Sequence, residues 1–329
     1  MEHAALSKQM IALSFLIISF VMIAPAKARP FSTTTKRLLS FTITHTKPIR
    51  RRGKLILLPS QATQYTINDD VCAPMDEAEL SKVVQRNFKS LPLFLQHKPI
   101  AAHTKAAFDD VFPHVDSSQK IIIDSGCGTG RSTLLLGDMY PDHTVIGVDR
   151  SFVRLTKNFK NENWAIDTNG RDESQRPYQA ISSNVLLVRA ELTDFWRCCL
   201  QAQRRNGWDV SHHFIYYPNP YPKKNRLKKR FYAHASFPLI LQLGGEIAVR
   251  SNWEGYLKEF AQSVLYGNQY YIDMNLKEDN EINVAAPYVR DALKGPIERT
   301  DKDVAMTNFE KKYDDIGEKT YELLLRRET

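Results

Sequence analysis

An α/β domain with a mainly parallel, doubly wound sheet is the fold this sequence predicts, and three observations predict it. Five short apolar runs alternate with helix-like segments between Lys120 and Arg250. Those runs are continuously apolar, as strands covered on both faces are. The first of them leads straight into DSGCGTG, Asp124–Gly130, a glycine-rich turn between a strand and a helix.

The elements follow in chain order. Asp76–His97 carries Leu80, Val83, Val84, Phe88 and Leu91 at helical spacing with acids at its start, so a helix is expected there. Lys120–Asp124 (KIIID) is the first strand, Arg131–Met139 a helix and Thr144–Asp149 (TVIGVD) the second strand. The polar stretch Asn161–Asn184 reads as a loop or insertion. Asn184–Arg189 forms a third strand, Leu192–Gln203 a helix and His212–Tyr217 (HHFIYY) a fourth strand. Phe231–Leu243 is expected to be helical, and Gly245–Arg250 (GEIAVR) to be the fifth strand. Cys72, Cys127, Cys198 and Cys199 make no CxxC pair and no zinc spacing, so neither a disulfide scaffold nor a metal is expected.

Charge is unevenly spread. The chain carries 45 Lys and Arg against 37 Asp and Glu, a formal charge of +8, yet the first 68 residues alone hold ten bases and one acid. The rest is close to neutral, so the high pI describes the leader and not the substrate. Within that leader, Met10–Ala24 is an apolar run with Lys8 before it and Ala26 and Ala28 after it. That is the pattern of a signal peptide over residues 1–28. Residues 29–68 lack acids and are rich in Ser, Thr, Arg and Lys, as transit peptides are. The pair resembles the bipartite leaders that direct proteins into complex plastids of algae, with Phe31 close behind the cleavage point. A single mitochondrial or plastid presequence and an uncleaved anchor are the alternatives. The folded domain is expected over 69–329, with 69–118 as a helical N-terminal extension.

The chemistry starts at Asp124–Gly130. Gly126, Gly128 and Gly130 let the backbone turn tightly and approach a ligand, and Asp149 at the tip of the next strand can accept from ribose hydroxyls. No Gly-Lys-Ser/Thr follows, which excludes a P-loop. The D-x-G-x-G-x-G form resembles motif I of S-adenosylmethionine-dependent methyltransferases. The resemblance implies a class I Rossmann-like fold and S-adenosyl-L-methionine as cofactor, held by Asp124, Gly126, Gly128, Gly130 and Asp149. It also implies a contact from Glu191 to the adenine amine, a role for which Asp194 competes. A dinucleotide dehydrogenase is the runner-up, but its G-x-G-x-x-G spacing is not met.

After the fourth strand comes YYPNPYPKKNRLKKR, with six Lys and Arg in its last eight residues and no acid among them. Here PNPYPKKNRLKKR resembles the PDPWPKKRHxKRR-like motif of the tRNA (guanine-N7)-methyltransferase family (TrmB-type), matching at Pro218, Pro220, Pro222, Lys223, Lys224, Arg226 and Arg230. A second match is TNFE, Thr307–Glu310, where that family has T-x-F-E. The chain departs from the family at Asn219, where the family has Asp, at Tyr221, where it has Trp, and at Ser251–Asn252, where it has Thr-Asp. Arg226 stands where the family has His. The resemblance implies transfer of a methyl group to N7 of a guanine in tRNA, with Asn219, Tyr221, Asn252, Thr307 and Glu310 at the reacting base. It assigns Lys223, Lys224, Arg226, Lys228, Lys229 and Arg230 to tRNA phosphates, which position a substrate without reading its sequence.

Guanine N7 offers a lone pair and carries no proton, so this reaction is a matter of alignment and needs no general base. Asn219 can still hydrogen-bond a base edge, more weakly than a carboxylate. Tyr216, Tyr217, Tyr221 and Trp253 are candidates for stacking on an extruded base. Two rivals use the same residues. One is an amino-methyltransferase of the Asn-Pro-Pro-Tyr type, whose second proline is missing here; the other is a catalytically silent tRNA-binding protein.

Overall fold

The computed structural model describes residues 49–51, 54–56, 73–115, 118–157, 178–278, 288–300 and 304–326. Nearly all of the predicted leader, Cys72 and the Asn161–Asn184 stretch up to residue 177 lie outside them. Met1–Asn68 and Asp69–Thr329 are two separate units. In the first, β1 (Ile49–Arg51) and β2 (Lys54–Ile56) pair antiparallel.

The second unit opens with α1 (Glu77–His97), which Asp76 caps by accepting from the Glu79 N–H at 3.0 Å. Then come α2 (Ala102–Val111), β3 (Lys120–Ser125), α3 (Arg131–Met139), β4 (His143–Asp149) and the short α4 (Phe152–Leu155). Next are β5 (Tyr178–Ala180), β6 (Val185–Arg189), α5 (Leu192–Asn206), β7 (Val210–Tyr216), α6 (Phe237–Leu243) and β8 (Glu246–Ser251). The chain closes with α7 (Glu254–Glu278), α8 (Val289–Lys294), β9 (Ile297–Glu298), α9 (Asn308–Asp315) and β10 (Tyr321–Leu325).

The sheet order is β5-β6-β4-β3-β7-β8-β10-β9. The five strands expected from sequence are its parallel centre, and β5, β10 and β9 are antiparallel additions at its edges. Alternation along β3 explains the continuous apolar runs. Ile121 and Ile123 enter the main core with α1, α2, α5, α6 and α7, while Ile122 enters a second cluster on the other face with Leu136 of α3. The chain proceeds outward from β3 to β4 and β6, then returns to β7 on the opposite side of β3. That reversal leaves a crevice at the carboxyl ends of β3 and β7, the place where open α/β sheets bind ligands.

Cys198 and Cys199 are two small buried residues of α5, and burial pushes the Cys198 thiol up to about 11. His212 and His213 lie within β7. One predicted helix is broken. Phe231–Leu243 divides into a 3₁₀ turn at Phe231–Ala233 and α6 from Phe237, with Pro238 in its first turn. Proline suits the first turn of a helix and disfavours helical backbone in the residues before it, so the helix begins there.

Candidate active site

The glycine turn behaves as its spacing requires. Gly126, Gly128 and Gly130 have φ of 81°, 61° and 77°, the left-handed region open to glycine. Gly126 N–H and Cys127 N–H both donate to the Val148 carbonyl, at 2.8 and 3.1 Å, which pins the loop to the end of β4. A side-chain carbon at Gly126 would meet nothing within 4 Å, and one at Gly128 only the Gly126 carbonyl at 4.0 Å. The space above the loop is thus an open cradle, and bare backbone lines it.

Two carboxylates hold that cradle from below. Asp124 is buried and accepts from Ser132 Oγ (2.6 Å) and Thr133 Oγ1 (2.8 Å) at the start of α3. Burial raises its pKa to about 6, the charge of Asp149 adds to the rise, and the two hydroxyls oppose it. Asp149 accepts from Gly128 N–H at 3.1 Å through Oδ2 and from Ser151 N–H at 2.7 Å through Oδ1. It therefore clamps the loop, and its remaining lone pairs are what a ribose could use. Glu191 stands at the end of β6 as the cap of α5, accepting from Asp194 N–H at 3.0 Å and paired with Lys98 at 3.5 Å. Its rival Asp194 is buried against the Ala101 N–H, Lys98 and Arg197, which leaves Glu191 as the reachable acid of the two.

Beyond β7 the Pro218–Pro222 turn is strained. Tyr217 and Tyr221, neither of them glycine, have φ of 50° and 41°, a conformation costing roughly 1–3 kcal/mol at each such residue. Asn219 is exposed and closes the turn on itself, its Oδ1 accepting from Tyr221 N–H at 3.0 Å. With that oxygen engaged, the amide nitrogen is the group it offers a ligand. Asn252, at the end of β8, donates from Nδ2 to Glu318 at 3.4 Å.

TNFE begins α9. Thr307 is its cap, accepting from Glu310 N–H at 3.0 Å, and S/T-x-x-E is the sequence form of a capping box. Glu310 does not face a ligand as expected. It is fully buried and accepts from Arg250, Arg299, the Tyr217 hydroxyl and the Met306 N–H. It acts through those partners: the same carboxylate grips the residue ahead of the proline turn and the segment ahead of α9. The segment itself lies over the cradle, with Asn308 Nδ2 donating to Thr129 Oγ1 at 3.1 Å and Arg131 Nε to the Ala305 carbonyl at 3.1 Å. The glycine loop, Tyr217 at the entry to the proline turn, and TNFE, far apart in sequence, are therefore joined by direct bonds.

The stacking candidates sort by exposure. Tyr216 is buried under Arg250, whose guanidinium carbon is 4.7 Å above its ring. Tyr217 is half-buried beside Phe309 and Tyr313, with centroids 6.5 and 5.7 Å away. Phe309, 61% exposed on α9, is the aromatic that sequence reading missed. Its signal was available, since it is the one apolar residue in TNFE and occupies an early, solvent-facing position of a capped helix.

The basic cluster is a 3₁₀ turn, Lys224–Lys229, and not a regular helix face. Lys223, Lys224, Arg226, Lys228 and Lys229 are exposed, and Lys228 pairs loosely with Glu79 at 3.7 Å. Arg230 departs from the assignment to phosphates. It is 1% exposed, and Leu227, three residues earlier, is buried too. A 3₁₀ turn repeats every three residues, so the two fall on the inward edge.

Sheet order, glycine turn and carboxylate-tipped β4 together define a class I S-adenosylmethionine-dependent methyltransferase fold. The chain belongs to the family whose model is described as Putative methyltransferase (Methyltransf_4), which matches residues 118–323, more than half of its length. It is a divergent member. It is 24% identical over 139 residues to the tRNA (guanine-N(7)-)-methyltransferase of Acinetobacter baylyi, covering 41% of this chain and 48% of that protein. The match thus spans about half the length of that relative. The enzyme of the same description from Staphylococcus haemolyticus is 21% identical over 215 residues, covering 63% of this chain and 80% of the other. Among solved structures, the 16S rRNA methyltransferase KamB is 13% identical with a TM-score of 0.35, over 70% of this chain and 95% of that one, too slight a likeness to build on.

Proposed function

We propose that this methyltransferase acts on tRNA and transfers the methyl group to N7 of a guanine. The observation that carries the reading is the direct bonding of TNFE to the glycine loop, through Asn308 and Thr129, and to Tyr217 at the entry to the proline turn, through Glu310. It gathers the three motifs of the sequence resemblance at the carboxyl ends of β3 and β7. S-adenosylmethionine supplies a methyl carbon activated by a sulfonium. Gly126 and Gly128 leave room for it, and Asp124, Asp149 and Glu191 surround the positions where cationic and hydroxyl groups would lie. Asn219, with Thr307 beside the loop, orients the base; Phe309 offers an exposed ring for stacking. No residue needs to take a proton, so alignment is the whole task of these side chains. The exposed Lys223, Lys224, Arg226, Lys228 and Lys229 hold phosphates.

Incubating the Asp69–Thr329 unit with labelled S-adenosylmethionine and unmodified tRNA, then digesting to nucleosides, tests this. We expect 7-methylguanosine. N6-methyladenosine instead would move the target to an exocyclic amine, and cofactor binding without any methylated nucleoside would favour a silent RNA-binding protein. We further place the protein in an organelle, a plastid ahead of a mitochondrion, on the composition of residues 1–68. Fusing those residues to a fluorescent protein checks it, and a cytosolic signal would end the idea.

A further inference from the structure

We propose that Arg230 is a positioning residue that holds the Pro218–Pro222 turn in its strained shape, and that it makes no contact with tRNA. The turn cannot hold itself. Pro218, Pro220 and Pro222 have no N–H, and Tyr221 spends its own on Asn219. The turn's carbonyls need donors from elsewhere, and Tyr217 just before it and Tyr221 within it sit at positive φ. Such a conformation persists only where the surroundings fix it.

Arg230 supplies what is missing. Its Nε donates to the Pro220 carbonyl at 2.7 Å, and Nη2 to the Tyr221 carbonyl at 3.4 Å. Nη2 also donates to the Ala73 carbonyl at 3.0 Å, while Ala73 N–H reaches the Pro222 carbonyl at 3.4 Å. On its far side Nη1 donates to Tyr232 Oη at 2.9 Å and to Glu259 Oε2 of α7 at 3.0 Å. Glu259 is itself held by the Tyr232 hydroxyl and by Met75 N–H, the latter at 3.1 Å. One planar guanidinium thus joins the turn, the strap at Ala73–Met75 and α7, a geometry that the point charge of a lysine cannot reproduce. Its burial against Glu259 leaves no surface for a phosphate.

The proposal rests on the turn being the target-base element, and the test separates the two ideas. The full chain, Arg230→Lys and the charge-balanced double variant Arg230→Met with Glu259→Gln are compared. Readouts are single-turnover 7-methylguanosine formation at saturating tRNA, tRNA affinity at several salt concentrations, S-adenosylmethionine affinity, and hydrogen exchange at Tyr217, Asn219 and Tyr221. Misplacement of the base by about 1 Å lowers the rate about a hundredfold. We expect that loss in both variants, faster exchange at the three amides, and tRNA and cofactor affinities within about threefold of the parent. An unchanged saturated rate with weaker tRNA binding and a shallower salt slope, by about one, would make Arg230 a phosphate ligand and overturn the proposal. So would a double variant with parental rate and exchange, since it keeps charge balance but not the fork. If the parent forms no 7-methylguanosine, the base-methylation reading fails, while the exchange comparison still decides whether Arg230 holds the turn.

Discussion

Asp124 gives a direct handle on the cofactor cradle, because the fold holds its carboxyl half-way to neutrality at mild acidity. Its pKa rises from 3.8 to about 6, first through burial and then through Asp149. The other groups facing it, the Cys127 thiol and the Tyr216 hydroxyl, are pushed upward by burial and stay neutral. A raised acid binds its proton more tightly in the folded protein than in the unfolded chain. Stability without cofactor therefore falls as pH rises from 3.8 to about 6, by about 3 kcal/mol at about 1.4 kcal/mol per unit. A cofactor seated in this cradle as proposed acts in the opposite sense, since its ammonium and sulfonium would favour the ionised carboxylate. With the pKa of about 6, the carboxyl is roughly nine-tenths ionised at pH 7 and one-tenth at pH 5, so the apparent Kd rises about tenfold on acidification. Isothermal titration in two buffers of different ionisation enthalpy reads both the affinity and the proton released, about half a proton at pH 6. Asp124→Asn removes both effects. An affinity flat from pH 5 to 7, or an unaltered tenfold change in the Asn variant, would refute the reasoning.

Other outcomes follow from particular residues. Asn219→Asp exchanges the donor left over in the turn for a charged acceptor; if guanine N1–H and N2–H₂ lie there, kcat/KM rises about tenfold, worth about 1.4 kcal/mol of charge-assisted bonding, and a fall would place a base acceptor at that point. Replacing Lys223, Lys224 and Lys229 by Ala weakens tRNA binding and lowers its salt slope by about 0.7–0.9 per lost contact, whereas Lys228→Ala, whose cation already has Glu79 nearby, does less. Equal effects of Lys228 and the others would contradict this ranking. At Gly147 a side-chain carbon would lie 2.3 Å from Thr133 Oγ1 and 2.9 Å from Leu187 Cδ2. Gly147→Ala should therefore cost about 1–3 kcal/mol by thermal melting and weaken cofactor binding through the Thr133–Asp124 bond; an unchanged melting temperature would argue against so tight a fit.

The parallel core was legible because each strand is a short apolar run covered on both faces, and each helix has its own period. Asp76 and the three glycines were legible for a related reason, since a helix cap and a left-handed turn are set by residues close by; Asp149 was legible from its place at the tip of the second strand, although the loop residue it grips, Gly128, is distant in sequence. Other features depend on distant partners. β10 owes its place to pairing with β8, and β5 to pairing with β6, neither written in the local pattern. Glu310 looked like a ligand-facing acid until Arg250 and Arg299 closed over it. The local sequence does hold a clue, because T-x-x-E is a capping signature whatever else it is. Arg230 looked like one cation among six. The single apolar member of that run, Leu227, marks the inward edge, and a period of three leads from it to Arg230.

The strap at Ala73–Met75 has a consequence for maturation. It touches the proline turn through Ala73 and the Arg230 pair through both Ala73 and Met75. A processing peptidase that trimmed the chain back to Asp76 would leave α1 its cap, yet strip donors and an acceptor from the element proposed to hold the base. If the proposed leader is removed, the cut must fall before Ala73 for the turn to keep these bonds, and processing and activity would then share one boundary.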